Sequence, residues 1–559
     1  MRWRKRRKKY KDIAPDEIFL DSRNAPRFDT HQLEGRLEKP INKKAPFFVL
    51  MVFFLIAITF SFRLFALQIK EGEAYIERSE NNSLRHEILF ADRGIIYDRN
   101  GDKLVWNEPN PEGEYSLRRY SSLDGLSHIL GYISYPQKDA KGIFYENAYT
   151  PKTGIEKTFN DLIAGTNGIK ITEKDVGGDI VTESSISEPV TGDDLILSID
   201  AEVQQRLYQS IRDLAERVDF EAGAGVIMDI YTGEIIALTS YPEYSSQILT
   251  DGVEKEMIAS YVESEYEPFL NRATNGLYTP GSIVKPFVAV GALNEGLITP
   301  QTTIMSTGSI RVENPYNREL FSIFTDWKAH GPVKVRDAIS VSSNIFFYEI
   351  GGGFKDQKGL GISRLETYLR AFGIAEKTGV YGIDEVHGLI PNPEWKKNTF
   401  EDGEWRVGDT YNTSIGQYGF QVTALQMVRA VAALANNGTL VTPKLTVSGS
   451  TDSHPLPIAI ETKHLQVARE GMRQSVETGI SQGLKLPYVQ VAAKTGTAEL
   501  GSRKQYVNSW VTGFFPYEKP RYSFAVVMER GPHANLTGAI FVMRGVLEWM
   551  YQNAPEYLE

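Results

Sequence analysis

The sequence predicts an α+β protein on a single-span membrane anchor. An extended β-rich pedestal should follow the anchor, then a domain with a central antiparallel sheet flanked by helices. Three observations lead there: an uncharged run from Ala45 to Phe62, a turn-rich, strand-leaning stretch after it, and short apolar strands at both ends of the remaining chain with helical patterns between them. With 559 residues the chain is too long for one ordinary core. At 42% hydrophobic and 24% charged residues its composition is globular.

The anchor comes first. Ala45 to Phe62 is 18 residues without a charge, about 27 Å of helix against a hydrocarbon core of ~30 Å. Arg63 interrupts and can snorkel to the far interface, and Leu64 to Ile69 stays largely apolar. A cleaved signal peptide would sit nearer the start and end in small residues, whereas Phe62-Arg63-Leu64 stands here. Residues 1–44 hold 14 Lys+Arg and 7 Asp+Glu, so the formal net charge of −10 divides into +7 for this tail and −17 for the rest. The basic side of a span stays in the cytoplasm. The tail is therefore expected beside anionic headgroups rather than on nucleic acid, with the remainder extracytoplasmic. The chain has no cysteine, which excludes disulfides, thiol catalysis and Cys-based metal sites.

The divisions expected are a cytoplasmic tail over 1–44, a transmembrane helix over 45–67, a pedestal over 68–190 and a larger α+β domain over 191–559. In the pedestal, Arg93 to Gly101 reads as two short strands around an Asn-Gly turn. In the last domain, Leu195 to Ile199 is a short apolar strand, and Asp200 is an N-cap for a helix opening at Ala201. Ala224–Asp229 and Gly233–Leu238 read as paired strands, Ala424–Leu434 as an apolar helix, and Ser509–Phe514 and Ser523–Met528 as late strands. The sheet should be closed by its first and last strands.

Three strings carry chemistry: Ser282-Ile283-Val284-Lys285, Ser342-Ser343-Asn344 and Lys494-Thr495-Gly496-Thr497. Alone each is weak. A lone S-x-x-K is usually a helix surface, and S-S-N is usually a helix cap. Together and in order they name a nucleophile, a base and a carboxylate-binding strand. Ser282 follows Pro280-Gly281, a turn signal, and opens an apolar helix over Ile283–Leu293 with Pro286 in its first turns. Positions i and i+3 share a face, so Lys285 can reach the Ser282 hydroxyl. As a base Lys285 must lose about three pKa units, through burial and a neighbouring cation, for which Lys494 is the candidate. Ser342 can relay a proton and Asn344 can bind a substrate amide. Thr495, Thr497 and Lys494 suit a terminal carboxylate, Gly496 permits close approach of a substrate strand, and the backbone N–H groups of Ser282 and Thr497 would form an oxyanion hole.

With those residues in view, the chain resembles a class B penicillin-binding protein, a monofunctional peptidoglycan D,D-transpeptidase, from about Arg63 to Met528. The resemblance runs through Arg63 to Gln68, Asn82-x-x-Arg85, Arg93 to Gly101, His128-Ile129-Leu130-Gly131-Tyr132 and Gly154-Ile155-Glu156. It continues through Asn271-Arg272-Ala273, Ala433-Leu434-Ala435-Asn436 and Trp510-Val511-Thr512-Gly513-Phe514. Within class B, Asn392 to Lys396, Gly408-Asp409-Thr410 and Ser414-Ile415-Gly416-Gln417 are similar to the elongation type, the penicillin-binding protein 2 group. The resemblance implies a serine-type D-Ala-D-Ala transpeptidase that is a β-lactam target, with D,D-carboxypeptidase activity left open. It implies catalytic Ser282, Lys285, Ser342 and Lys494, substrate-binding Asn344, Thr495, Gly496 and Thr497, and a bacterial single-pass inner-membrane protein with its N-terminus in the cytoplasm. Its partners would be stem peptides, the membrane and a polytopic glycosyltransferase of the shape, elongation, division and sporulation family, with no nucleic acid.

Three positions depart from the family pattern: Tyr418 and Ala424 stand where glycine and proline are usual, and Ala493 where glycine precedes the lysine string. Some elongation-type relatives hold a metal before S-x-N through a cysteine. Asp326 and His330 are present here but the cysteine is not, so no metal and no cofactor are expected. The alternatives are a division-type (septal) transpeptidase and a largely non-catalytic scaffold that activates a glycosyltransferase. A bifunctional class A enzyme, a β-lactamase and a zinc-protease sensor lack their required parts.

Overall fold

The computed structural model describes residues 44–559 except 74, 76–83, 112, 141, 175–179, 315–316, 448–454 and 502. The basic tail up to residue 43 and Asn82 of the resemblance lie outside the described residues. The chain divides into two compact units, 1–85 with 173–180, and 86–172 with 181–559.

The first unit contains helix α1 (Ala45–Phe65), whose 21 residues reach about 31 Å. The helical run continues to Lys70, with a mean hydropathy of 2.5 and no part of it buried. Its last turn widens, with Glu71 N–H donating to Ala66 O at 2.8 Å. Among the described residues it is the one helix long and apolar enough to cross a membrane.

The second unit begins with the pedestal. Strands β1 (Ile96–Tyr97) and β2 (Lys103–Glu108) pair antiparallel around the expected Asn100-Gly101 turn, with Gly101 at φ 90°. Asp98 closes the turn by accepting from the N–H groups of Asn100 and Asp102 at 2.8 and 2.9 Å. β3 (Leu117–Tyr120) adds beside β2, and β4 (Leu195–Ile196) pairs parallel to β1. The apolar strand expected at 195–199 is thus two residues long and belongs to the pedestal sheet. From there the chain enters α2 (Ala201–Val218), where Asp200 caps the N–H groups of Glu202 and Val203.

The catalytic domain is built on five antiparallel strands. β5 (Ala222–Asp229) and β6 (Ile235–Tyr241) form the first hairpin. Helix α3 (Lys285–Asn294), the projecting hairpin β7 (Ser309–Asn314) and β8 (Asn317–Thr325), and helices α4 (Asn344–Gly352), α5 (Pro393–Thr399), α6 (Val407–Ser414), α7 (Ala424–Ala435) and α8 (Thr462–Glu477) follow. β9 (Ala492–Leu500), β10 (Tyr506–Phe515) and β11 (Tyr522–Pro532) then complete the sheet in the order β6-β5-β11-β10-β9, and α9 (Ala539–Asn553) ends the domain. The first hairpin and the last strand do meet, with Val226 opposite Ala525. Alternation explains the two layers. Ala224, Val226 and Met228 with Ala525 and Val527 face the core that holds α3 and α7. Ile227 with Phe524, Val526 and Met528 faces the core that holds α2 and α9. A sheet covered on both faces needs runs with few polar breaks, as these strands have. β6 and β9 are its two edge strands.

Candidate active site

Ser282 does not sit in the α-helix itself. It lies in a short 3₁₀ turn, Gly281–Val284, that leads into α3 at Lys285, with Pro286 in the first turn where no N–H is needed. The turn is clamped from three sides. Gly281 N–H donates to Gly416 O at 2.9 Å, and a Cβ on Gly416 would stand 2.2 Å from Gly281 O. On the strand side a Cβ on Gly496 would stand 2.8 Å from Pro280 O. The Trp510 indole donates to Thr279 O at 3.0 Å. The family-like strings around Gly416, Gly496 and Trp510 therefore share one physical task, close approach to the nucleophile's backbone.

Lys285 is wholly buried. Its Nζ donates to Ser342 O at 2.8 Å, Ser342 Oγ at 3.2 Å and Asn344 Oδ1 at 2.7 Å. Two of the three strings thus meet at one ammonium. Burial pushes Lys285 down to about 7, against an upward pull from Asp326. Lys494, also wholly buried, donates to Thr495 O at 2.6 Å. Burial, and then the charge of Lys285, hold it well below the ordinary lysine range. Burial is thus the first cause of lowering in both lysines, and their two charges repel each other across the site.

Thr495 and Thr497 line the cleft, while Gly496 is buried against the nucleophile turn. The cleft, of about 940 Å³, brings Ser282, Ser342, Asn344, Thr495 and Thr497 together and extends to Trp327, Tyr348, Glu499 and His533. Ser343 is both things that a lone S-S-N suggests. It caps α4, with Phe346 N–H approaching its Oγ at 3.5 Å, and it stands between two site residues. Ser342 has φ 59°, a left-handed backbone that few non-glycine residues adopt.

The departures from the family pattern are accommodated locally. Tyr418 has φ 67°, which explains why glycine is usual there, and its ring packs with Trp395, Phe400 and Trp405. Ala493 pairs with Gly513, so its Cβ faces no side chain across the strands. Ala424 is the first residue of α7, a position that proline also fits. Two elongation-type strings meet as a buried ion pair, Lys396 Nζ to Asp409 Oδ2 at 2.8 Å.

Sequence alone offers Asp326 no role beyond that of a metal ligand. Its carboxylate is wholly buried. Oδ2 accepts from Ser343 Oγ at 2.8 Å, Ile345 N–H at 3.1 Å and Ser306 Oγ at 3.2 Å, and Oδ1 accepts from Trp327 N–H at 2.9 Å. His330 Nε2 stands 3.8 Å from Oδ1. One carboxylate already taken by four donors, one imidazole and two neutral hydroxyls do not make a metal donor set. Among the described residues no cluster of three His, Cys, Asp or Glu is placed to hold an ion. No sequence signal joins Asp326 to Ser343 short of the folded hairpin.

The sequence model described as penicillin binding protein transpeptidase domain matches residues 223–542, and that of the penicillin-binding protein dimerisation domain matches 113–197. The peptidoglycan D,D-transpeptidase MrdA of Acinetobacter baumannii is 32% identical over 446 residues, 74% of this chain and 63% of that protein. MrdA of Salmonella typhimurium is 26% identical over 615 aligned residues, 90% of this chain and 95% of that one. The structure of PBP2 from Helicobacter pylori in complex with MreC is similar with a TM-score of 0.69 at 27% identity, covering 84% of this chain and 99% of that one.

Proposed function

Because the chain belongs to the penicillin-binding protein transpeptidase family, in the class B, elongation-type branch of its MrdA relatives, we propose that it cross-links peptidoglycan stem peptides during cell-wall elongation through acylation of Ser282. The observation that carries this is the buried Lys285 ammonium, three residues from Ser282 and hydrogen-bonded to Ser342 and Asn344.

Neutral Lys285 takes the proton of Ser282 Oγ as that oxygen attacks the carbonyl of a D-Ala-D-Ala peptide bond. Ser342 Oγ, 3.2 Å from Nζ, relays a proton to the leaving D-Ala nitrogen, and the acyl group stays on Ser282. An amine of a second stem peptide then attacks the ester, gives its proton back through the same groups and releases Ser282. Lys494 with the hydroxyls of Thr495 and Thr497 holds the terminal carboxylate, whose charge supplies the anion Lys494 lacks. The donor peptide lies along edge strand β9. Backbone N–H groups of Ser282 and Thr497 receive the oxyanion.

The long apolar helix serves as the membrane anchor, with the basic tail on the cytoplasmic side. The tail ends at residue 44 and the anchor at 67, and the pedestal runs past 190 to take in Leu195–Ile196, which pair with Ile96–Tyr97. MreC is the partner solved with the Helicobacter relative. We extend to this chain a partner of that kind and the polytopic glycosyltransferase implied by the family. The test is labelling of the full chain by fluorescent penicillin beside Ser282→Ala. A stable adduct on the parent and none on the variant is expected. Rapid loss of label would indicate a β-lactamase, and no label on either a scaffold.

A further inference from the structure

We propose that Asp326 is a positioning residue that holds the S-x-N loop, and through it Ser342 and Asn344, against Lys285 without a metal. The proposal rests on the reading of Lys285 as the base.

Three consecutive residues at the end of β8 embrace the loop. Thr325 O accepts from Asn344 Nδ2 at 3.4 Å and from Tyr348 OH at 3.3 Å. The Trp327 indole donates to Val341 O at 3.2 Å. Between them the Asp326 carboxylate takes the Ser343 hydroxyl and the Ile345 N–H. Those two donors follow Ser342 and Asn344 directly in the chain, so their positions fix the two side chains on Lys285 Nζ. Ser306, on the strand paired to Gly331–Val333, adds a third donor to the same oxygen. A left-handed serine such as Ser342 persists only where its surroundings over-determine it. Here a buried anion does so with charge-assisted hydrogen bonds.

Asp326 also acts on the base by charge. Of the titratable groups around it, Lys285, His330 and Tyr348 are all pulled upward by it. Lys285 in turn faces Lys494 and His330, and the ring of Phe347 at 5.5 Å. Removing the anion while keeping the shape should therefore do two separable things. The loop should loosen, and Lys285 should lose its proton more readily.

The experiment measures the rate constant of acylation by fluorescent penicillin from pH 5.5 to 9 on the full chain in detergent. It compares the parent, Asp326→Asn and Ser343→Ala, with thermal unfolding alongside and excess chelator on the parent. For Asp326→Asn the plateau is expected to fall about tenfold or more, while the acid limb moves to lower pH. A merely structural loss would lower the plateau alone. Ser343→Ala keeps the charge, so a fall of about threefold with an unmoved limb is expected. Chelator should leave the parent unchanged. A folded Asp326→Asn protein with parental rate and limb overturns the proposal, and so does loss of parental acylation on chelation. Should Asp326→Asn not fold, a parental rate in Ser343→Ala overturns it. A parent that is not acylated at all overturns the Lys285 reading instead.

Discussion

In the pedestal, Arg93 and Arg118 are buried around Glu156; in the cleft, Lys285 and Lys494 are buried with no carboxylate hydrogen-bonded to either among the described residues. Arg93 Nε and Nη2 both reach Glu156 Oε2, at 3.0 and 2.7 Å, and Arg118 Nε reaches Oε1 at 2.7 Å. Burial would raise the Glu156 carboxyl, but Arg118 and Arg93 outweigh it and hold it below the usual range. In the cleft the only such opposition among the described residues is the upward pull of Asp326 on Lys285, which does not outweigh burial, and both lysines titrate low. The pedestal closes its charges into a joint. The cleft leaves a cationic place open for a ligand's carboxylate, and the cost of burying unpaired ammoniums becomes a usable base.

The comparison breaks first at Lys285. Lys285→Arg keeps the cation but cannot act as a base, and Lys285→Met keeps the volume without the charge. Both should lower penicillin acylation about 10³-fold to 10⁴-fold. Thermal unfolding of Lys285→Met should be unchanged or improved, because an unpaired buried charge is gone. Acylation retained in Lys285→Arg would show that charge, not proton transfer, is what the site requires.

The opposite pattern is expected for Glu156→Gln. Two guanidiniums would be left without their anion, which costs about 3–5 kcal/mol. A large fall in thermal stability should accompany near-parental acylation of the protein that remains folded. A drop in acylation with stability intact would mean that the pedestal joint serves the cleft.

These two regions were unequally legible from sequence. The Ser282–Lys285 spacing is local, and a turn signal plus an apolar run places it at a helix start. The strands β5, β6, β10 and β11 were equally plain, since each alternates or runs apolar over a few residues. The pedestal joint was not legible. Arg93 and Glu156 each belong to a family-like string, but 63 residues separate them and nothing local says that they meet. Asp326 shows the same limit in the cleft. Its partners come from a strand, a loop and a helix N-terminus, so without the fold a metal was the nearest available role.

pH sharpens the comparison with a smaller effect. Acylation should rise with pH through about 7 as Lys285 loses its proton, falling about tenfold per unit below it. Stability has a matching sign. Lys285 sits below its ordinary 10.5 when folded, so the unfolded chain binds more protons between about 7 and 10.5, and stability should increase with pH across that window. Lys285→Met should lack this increment. A parent with the same slope as the variant in denaturant unfolding would place the low-titrating group elsewhere.

The smallest effect expected is the mirror of the first substitution, Arg118→Lys in the pedestal. Charge and burial would stay, but the planar fork would go. Arg118 also donates through Nη1 to Asn107 Oδ1 at 2.9 Å, and a lysine cannot reach both that amide and Glu156 Oε1 in the same plane. A loss of about 1–2 kcal/mol is expected, one hydrogen bond's share, with acylation unaffected. If Arg118→Lys cost as much as Glu156→Gln, donor geometry would matter in the joint as much as charge. If it cost nothing, the joint would need only a cation. An intermediate loss sets the two regions apart by chemistry: guanidinium where the charge must stay fixed, ammonium where the proton must leave.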